Sequence, residues 1–223
     1  KEAVNRAKIS KEKVDEVRVG NVGQIADSGF IARAAMFKAG LEKETTAYSV
    51  NRQCGSGLQA IVDGALEIMT GNSNVVVACG TENMSRLPYY VTNVRGGYRM
   101  GHQQLEDGLI DILTWPLGPF HNGTTAENVA DKYSISREDQ DKFALSSQEK
   151  MIKAQDEGKF KEEIIPVEVK TKKETMIIDT DEHPKRGLTL EKLSKLKAAF
   201  RENGSVTAGN SSGINDGAAA VVL

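Results

Sequence analysis

Over the first eighty residues, short apolar–polar alternations trade places with runs of helical period. Residues 14–20 (VDEVRVG) alternate apolar and polar positions, which predicts a half-buried strand. A helix follows, with Ser28 as its cap, Phe30, Ala34 and Phe37 on its apolar side, and Gly40 as its stop. Residues 47–54 predict a second strand. Beyond it Leu58, Ile61, Val62, Ala65, Leu66 and Met69 recur at i, i+3, i+4, i+7, i+8 and i+11, a broad apolar stripe on one long helix. Gly71 and Asn72 stop that helix, and residues 75–80 (VVVACG) form a continuous apolar run, the pattern of a strand covered on both faces. Strand, helix, strand, helix, strand at this spacing predicts an α/β domain with right-handed crossovers.

After Gly80 the texture changes. Residues 81–123 are irregular and rich in Gly, Tyr and Pro. Thr125 then precedes a helical pattern in Ala126, Val129, Ala130 and Tyr133. Ser136 with Asp139 resembles a capping box for a helix running through Met151 and Ala154. Ile165, Val167 and Val169 alternate around Pro166, which predicts an edge strand. Thr189 opens a further helix through Leu193 and Leu196 to Phe200. Residues 206–223 (VTAGNSSGINDGAAAVVL) re-enter a buried-looking apolar strand. The simplest organisation is one α/β domain, residues 1–80 and 212–223, interrupted by an insertion at residues 81–211.

Composition narrows the function classes. The 223 residues are 39% hydrophobic, 27% charged and 5% aromatic, with a net charge of −2. That excludes a disordered chain and a fibre, and gives no electrostatic footprint for nucleic acid. No apolar run approaches the ~18 residues of a membrane span. Residues 150–202 hold 13 Lys/Arg against 11 Asp/Glu, a mild bias that reads as a solvated face. Two cysteines cannot staple a chain of this size, so reduced thiols and a cytoplasmic setting are expected. No signal peptide opens the chain, and both of its ends read as cuts through a larger domain.

One of the two cysteines is chemically placed. Cys54 closes the second expected strand at the mouth of the long helix, with Gly55 and Gly57 beside it. Unpaired helix N–H groups and the positive end of the dipole favour an anion there, so a thiol gains thiolate character. The glycines would let a substrate approach the backbone. A lone cysteine is more often a small packed apolar residue, and both readings stay open for Cys54. Cys79, inside VVVAC, reads as packing. A hydrolase nucleophile elbow is excluded, because Gly-x-nucleophile-x-Gly fails at Arg52.

The run VNRQCGSGLQAI at residues 50–61 resembles the nucleophile segment of the thiolases. CGTENMS (79–85), HNGTTAENVA (121–130) and VTAGNSSGINDGAAAVVL (206–223) resemble three further thiolase segments in the same order. The resemblance implies an α/β, thiolase-like layered fold with an inserted α+β loop domain that binds coenzyme A. It also implies an acetyl-CoA C-acetyltransferase that forms or cleaves acetoacetyl-CoA or 3-oxoacyl-CoA, in lipid metabolism, through an acyl-cysteine at Cys54. The Cys54 N–H would serve as an oxyanion donor, a role worth ~3 kcal/mol. By resemblance, His121 lies near the pantetheine end of coenzyme A, and Leu113, Phe200, Ala208 and Ser212 line the pantetheine and adenosine path. Lys185 and Arg186 stand near the adenosine phosphates, Lys185 where many members place an Arg; a Lys offers a point charge without a fork. For His121, Phe200, Lys185 and Arg186 the ordinary readings are a surface histidine, core packing and a charged loop. His102 and His183 read as surface residues.

The resemblance further implies no bound cofactor beyond the coenzyme A thioester substrates, no metal, no nucleic-acid or membrane partner, and a homodimer or homotetramer, with residues 95–109 resembling a tetramer-contact loop. Asn122 stands where short-chain members carry Met. The family's Gly-His-Pro histidine, its Asn-Glu-Ala-Phe asparagine and its second catalytic cysteine have no counterpart here, so this chain alone is expected to be inactive in condensation. The competing readings are a carrier-protein-dependent ketoacyl synthase, disfavoured by the long insertion, and a non-catalytic coenzyme A-binding fragment.

Overall fold

The computed structural model describes residues 1–24, 29–118 and 120–223. It separates into two compact units, Lys1–Ile112 with Ile214–Leu223, and Leu113–Gly213. The segment from residue 81 to 112 thus groups with the first unit, where the sequence pattern had placed the boundary near Thr81.

In the first unit a short helix α1 (Glu2–Arg6) leads into β1 (Glu16–Gly20), α2 (Ile31–Ala39), β2 (Thr46–Val50), α3 (Ser56–Met69) and β3 (Val76–Asn83). The chain returns at its end as β10 (Asp216–Val222), giving a sheet of order β10-β3-β1-β2. β1 runs parallel to β2 and β3, pairing Val17 with Ala47 and Val77, while β10 lies antiparallel to β3. This is the α/β class expected. Between β3 and the second unit lie the short β4 (Tyr89–Tyr90) and β5 (Glu106–Asp107), which pair antiparallel, and α4 (Gly108–Ile112).

The core sits on one face of this sheet, where Val17, Val19 and Val77 meet Val4, Ala32 and Met36. β1 is central, so it is buried on both faces and not half-buried as its alternation suggested. Its polar position, Arg18, is only 3% exposed. The guanidinium is kept ionised underneath α3 by Glu16 at 2.7 Å and Glu67 at 3.1 Å, and it lies 4.8 Å from the Tyr48 ring centroid. A buried cation survives only with such partners.

Both helices turn a different face inward from the one their large apolar residues mark. In α2 the buried residues are Ala32 and Met36, while Phe30 and Phe37 are exposed; the expected cap, Ser28, lies outside the described residues. Gly40 does end α2, in the left-handed region at φ 82°. In α3 the inward stripe is Ser56, Ala60 and Gly64, and Leu58, Val62, Leu66 and Met69 point outward. Small residues let α3 approach the sheet closely: a Cβ on Gly64 would lie 2.9 Å from Val76 Cγ1. Periodicity marks a stripe that wants cover without saying which stripe the sheet takes. β10, expected to be buried, is an edge strand with Ala218, Ala219 and Ala220 exposed.

The second unit opens with β6 (Thr114–Trp115) and β7 (Phe120–His121), which pair antiparallel. Helices α5 (Asn122–Lys132) and α6 (Arg137–Asp156) follow, then the hairpin of β8 (Val167–Lys170) and β9 (Thr175–Ile178), and α7 (Leu190–Ser194). Ser136 caps α6 as its motif predicts, its hydroxyl accepting from Asp139 N–H. α5 starts at Asn122, three residues before the expected Thr125, because His121 supplies the cap. Thr189 caps α7, but that helix stops at Ser194 instead of reaching Phe200. The backbone beyond it pairs across the chain: Ala198 bridges Thr207, and Ala199 N–H donates to the Val206 carbonyl at 2.9 Å.

Candidate active site

Cys54 lies outside the C-terminal edge of the parallel strands, where open α/β sheets bind ligands. It does not end a strand. β2 stops at Val50, and Asn51, Arg52 and Gln53 form a turn before it. Ser56 fastens this turn: its hydroxyl accepts from Arg52 N–H at 2.8 Å and donates to the Gln53 carbonyl at 2.6 Å. Asn51 adds a third tie, its Oδ1 accepting from Gln53 N–H at 3.0 Å. Gln53 is held at φ 50°, a left-handed conformation that costs a non-glycine residue of order 1 kcal/mol and that the surrounding bonds must hold in place. The turn delivers Cys54 to solvent immediately before Gly55, the N-cap of α3.

The glycines of the motif serve the fold before any substrate. A Cβ on Gly20 would lie 2.3 Å from the Ser56 carbonyl carbon, while Gly57 and Gly80 face each other at van der Waals distance, a Cβ on Gly80 lying 3.4 Å from the Gly57 Cα. The first turn of α3 therefore packs directly on the ends of β1 and β3, which fixes where Cys54 emerges. Of the N–H groups at this helix end, those of Gly55 and Ser56 are taken by the Arg52 and Gln53 carbonyls. Cys79 has the opposite setting. It sits within β3 between Val19 and Ala220, half-buried, and burial pushes its thiol pKa up.

The remaining candidates, apart from Cys54, lie in the second unit, and part of them converge. His121 caps α5, its Nδ1 accepting from Gly123 N–H at 3.0 Å. Its ring stacks on Phe200, centroids 5.0 Å apart and planes 14° from parallel. Phe200 in turn lies on the bare backbone of Gly123, where any Cβ would fall 2.2 Å from the ring. Leu113 joins them through its carbonyl, which accepts from Asn122 N–H at 2.9 Å. Phe200 is thus neither on a helix nor simply core; it is one plate of a ring pair at the start of α5.

Ala208 and Ser212 are exposed on the loop that follows Val206. Lys185 is exposed and its N–H donates to Gln148 on α6 at 2.8 Å. Arg186 is already engaged: its fork binds Asp156 at 2.6 and 3.1 Å, and that carboxylate raises the guanidinium pKa. A phosphate would have to compete for Arg186, whereas the Lys185 ammonium stands exposed beside it. His102 is exposed and His183 half-buried.

Three polar residues escaped the sequence reading. Ser56 is one. Glu127, fully buried on α5, accepts from Ser205 N–H and Val206 N–H at 2.9 Å each. Asp141, buried on α6, accepts from Asn210 Nδ2 at 2.9 Å and from Arg137 Nε at 2.8 Å. The available signal for Glu127 was its place at i+4 from Gly123 and i−3 from Ala130, a carboxylate inside a stripe of small residues.

Comparison with known proteins decides the family. Residues 1–223 match the family described as thiolase, N-terminal domain. The chain belongs to the thiolase family. The acetyl-CoA acetyltransferase of Syntrophomonas wolfei is 45% identical over 100% of this chain and 57% of its own length. Among solved thiolase structures, the acetyl-CoA acetyltransferase of Bacillus anthracis matches at a TM-score of 0.96 and 42% identity, over 100% of this chain and 57% of that one. The human mitochondrial 3-ketoacyl-CoA thiolase in complex with CoA matches at a TM-score of 0.92 and 46% identity, over 99% of this chain and 55% of that one. The chain therefore spans little more than half the length of the thiolases it matches, and its layered α/β fold is theirs.

Proposed function

We propose that this chain carries the nucleophile and the coenzyme A cradle of an acetyl-CoA C-acetyltransferase. The observation that carries the reading is the placement of Cys54: exposed, beyond the carboxyl ends of parallel strands, on a turn locked by Ser56 at the mouth of α3. The names of the relatives, acetyl-CoA acetyltransferase and 3-ketoacyl-CoA thiolase, support the substrate class.

The Cys54 thiolate attacks the thioester carbonyl of acetyl-CoA. The tetrahedral oxyanion collapses, the C–S bond to coenzyme A breaks, and CoA thiolate leaves, so an acetyl-cysteine replaces the thiol. The Cys54 N–H is a candidate oxyanion donor. The α-carbanion of a second acetyl-CoA then attacks the acetyl-cysteine, forms the new C–C bond and returns the electron pair to the Cys54 sulfur, releasing acetoacetyl-CoA. The reverse direction is thiolytic cleavage. Leu113 and the His121–Phe200 pair supply apolar contact to the pantetheine arm, Ser212 a hydrogen bond to one of its amides, and Ala208 a small surface along it. Lys185 offers a charge to the adenosine phosphates.

Removing the α-proton needs a base; burial favours the neutral thiol of Cys79, and the thiolase resemblance assigns that role to a second catalytic cysteine with no counterpart in these residues. The 223 residues alone are therefore expected to acylate without condensing. The test is to mix the protein with acetyl-CoA or with an acetylated carrier protein and map the acetyl group by mass spectrometry. Acetylation of Cys54 from acetyl-CoA supports the reading. Acetylation from the carrier protein alone indicates a ketoacyl synthase, and micromolar CoA binding without acylation indicates a binding module.

A further inference from the structure

We infer that Glu127 is a positioning residue for coenzyme A binding, acting through the loop of residues 205–212; this rests on the proposal that Ala208 and Ser212 of that loop face the pantetheine arm. A fully buried carboxylate has lost its hydration and is retained only where other groups replace it. Here the replacements all come from one short stretch of backbone and its neighbour. Glu127 Oε2 accepts from Ser205 N–H at 2.9 Å and from the Ser205 hydroxyl at 3.1 Å, Oε1 accepts from Val206 N–H at 2.9 Å, and Arg201 adds an ion pair at 3.4 Å. Gly204 is required next to them, since a Cβ there would lie 2.2 Å from Oε1.

A second, separate carboxylate completes the clamp. Asp141 on α6 holds Asn210 Nδ2 at 2.9 Å, and Asn210 Oδ1 accepts from Thr207 N–H at 2.7 Å. The amides of residues 205, 206 and 207 are thus all bound by side chains, which leaves Ala208 and Ser212 on the exposed side. One helix sets both walls of the cradle. His121 caps α5 and Glu127 lies six residues further along it, about 9 Å at 1.5 Å per residue, so the ring pair and the loop are spaced by a rigid strut. None of the bond-making steps uses Glu127.

The experiment measures CoA affinity by calorimetry, KM for acetyl-CoA, and the iodoacetamide labelling rate of Cys54, in the intact protein and in its Glu127→Gln and Asn210→Ala variants. Glu127→Gln keeps the volume but turns an NH2 toward backbone donors. The expected result is a CoA affinity about tenfold weaker, with KM for Cys54 acetylation raised by the same factor, the acetylation rate at saturating acetyl-CoA changed much less, and Cys54 labelling unchanged. Asn210→Ala, which frees the Thr207 amide, the Ser205 carbonyl and Asp141 Oδ1, is expected to weaken CoA binding as well and reports on the clamp if Glu127→Gln does not fold. A purely structural role would lower the melting temperature and leave KM where it was. Variants that bind CoA like the parent overturn the clamp and leave the CoA reading standing. A parent that does not bind CoA overturns both.

Discussion

Cys54 and Cys79 are the same side chain in two settings, and the difference is set by a few atoms around each. Cys54 is exposed on its locked turn; Cys79 is half-buried in β3 with its pKa pushed up. Iodoacetamide is therefore expected to label Cys54 well before Cys79, as peptide mapping at partial modification would show. Ser56→Ala removes both bonds that hold the turn. At about 0.5–1.5 kcal/mol per bond, it should lower stability by about 1–3 kcal/mol in denaturant unfolding and slow acylation of Cys54 more than it affects CoA affinity. Cys54 could be singled out in the sequence because a cysteine followed by Gly55 and Gly57 before a helical run suits a nucleophile as well as packing, and the thiolase resemblance of residues 50–61 favours the first. Its support could not be, because a serine or a glutamate is written the same way whether it is solvated or clamping a buried amide.

Among the elements, α3 shows what a periodic pattern can and cannot tell. Its length and start were readable, and so was the presence of a broad apolar stripe. The sheet nevertheless takes the narrower stripe of Ser56, Ala60 and Gly64. Gly64→Val should therefore be among the costly changes in this helix despite adding an apolar side chain. A branched group there meets Val76 and Leu223 and is expected to cost about 1–3 kcal/mol, seen as a lower melting temperature. α7 fails in the other direction. Its pattern continues to Phe200, but the backbone from Ala198 finds partners at Val206 and Thr207. Such long-range pairing overrides local propensity and leaves no trace in the local pattern. β9 was missed for a related reason, since it is mostly exposed and its consecutive Met176, Ile177 and Ile178 carry no alternation to detect, whereas β8 was found by its alternation.

For the whole molecule, the strand–helix order was enough to give the α/β class, and four motifs in one order were enough to give the family. The unit boundary was less legible, because β3 runs on through Thr81 to Asn83 and the irregular segment after it stays with the first unit. The carboxylates set how stability depends on pH. Burial raises the Glu127 pKa, but the Ser205 and Val206 N–H groups, the Ser205 hydroxyl and Arg201 outweigh it and hold the group below its usual value. Arg201 lowers Asp131 and Ser85 lowers Asp216 by hydrogen bonding. A carboxylate lowered in the folded state stabilises fully above its ordinary range, about 3.9–4.3, and loses that contribution as pH falls through the folded value. The melting temperature is expected to be level from pH 7 to about 5 and to fall below about pH 4. Glu127→Gln should flatten that fall.

The central claim is that one sulfur takes the acyl group from a coenzyme A thioester. The direct measurement is acetylation of the protein and of its Cys54→Ala variant by acetyl-CoA, with acid quenching to trap and locate the acetyl group. The account predicts an acetyl group on Cys54 and none on the variant. Acetylation preserved in Cys54→Ala, or an acetyl group trapped on another residue, would contradict it.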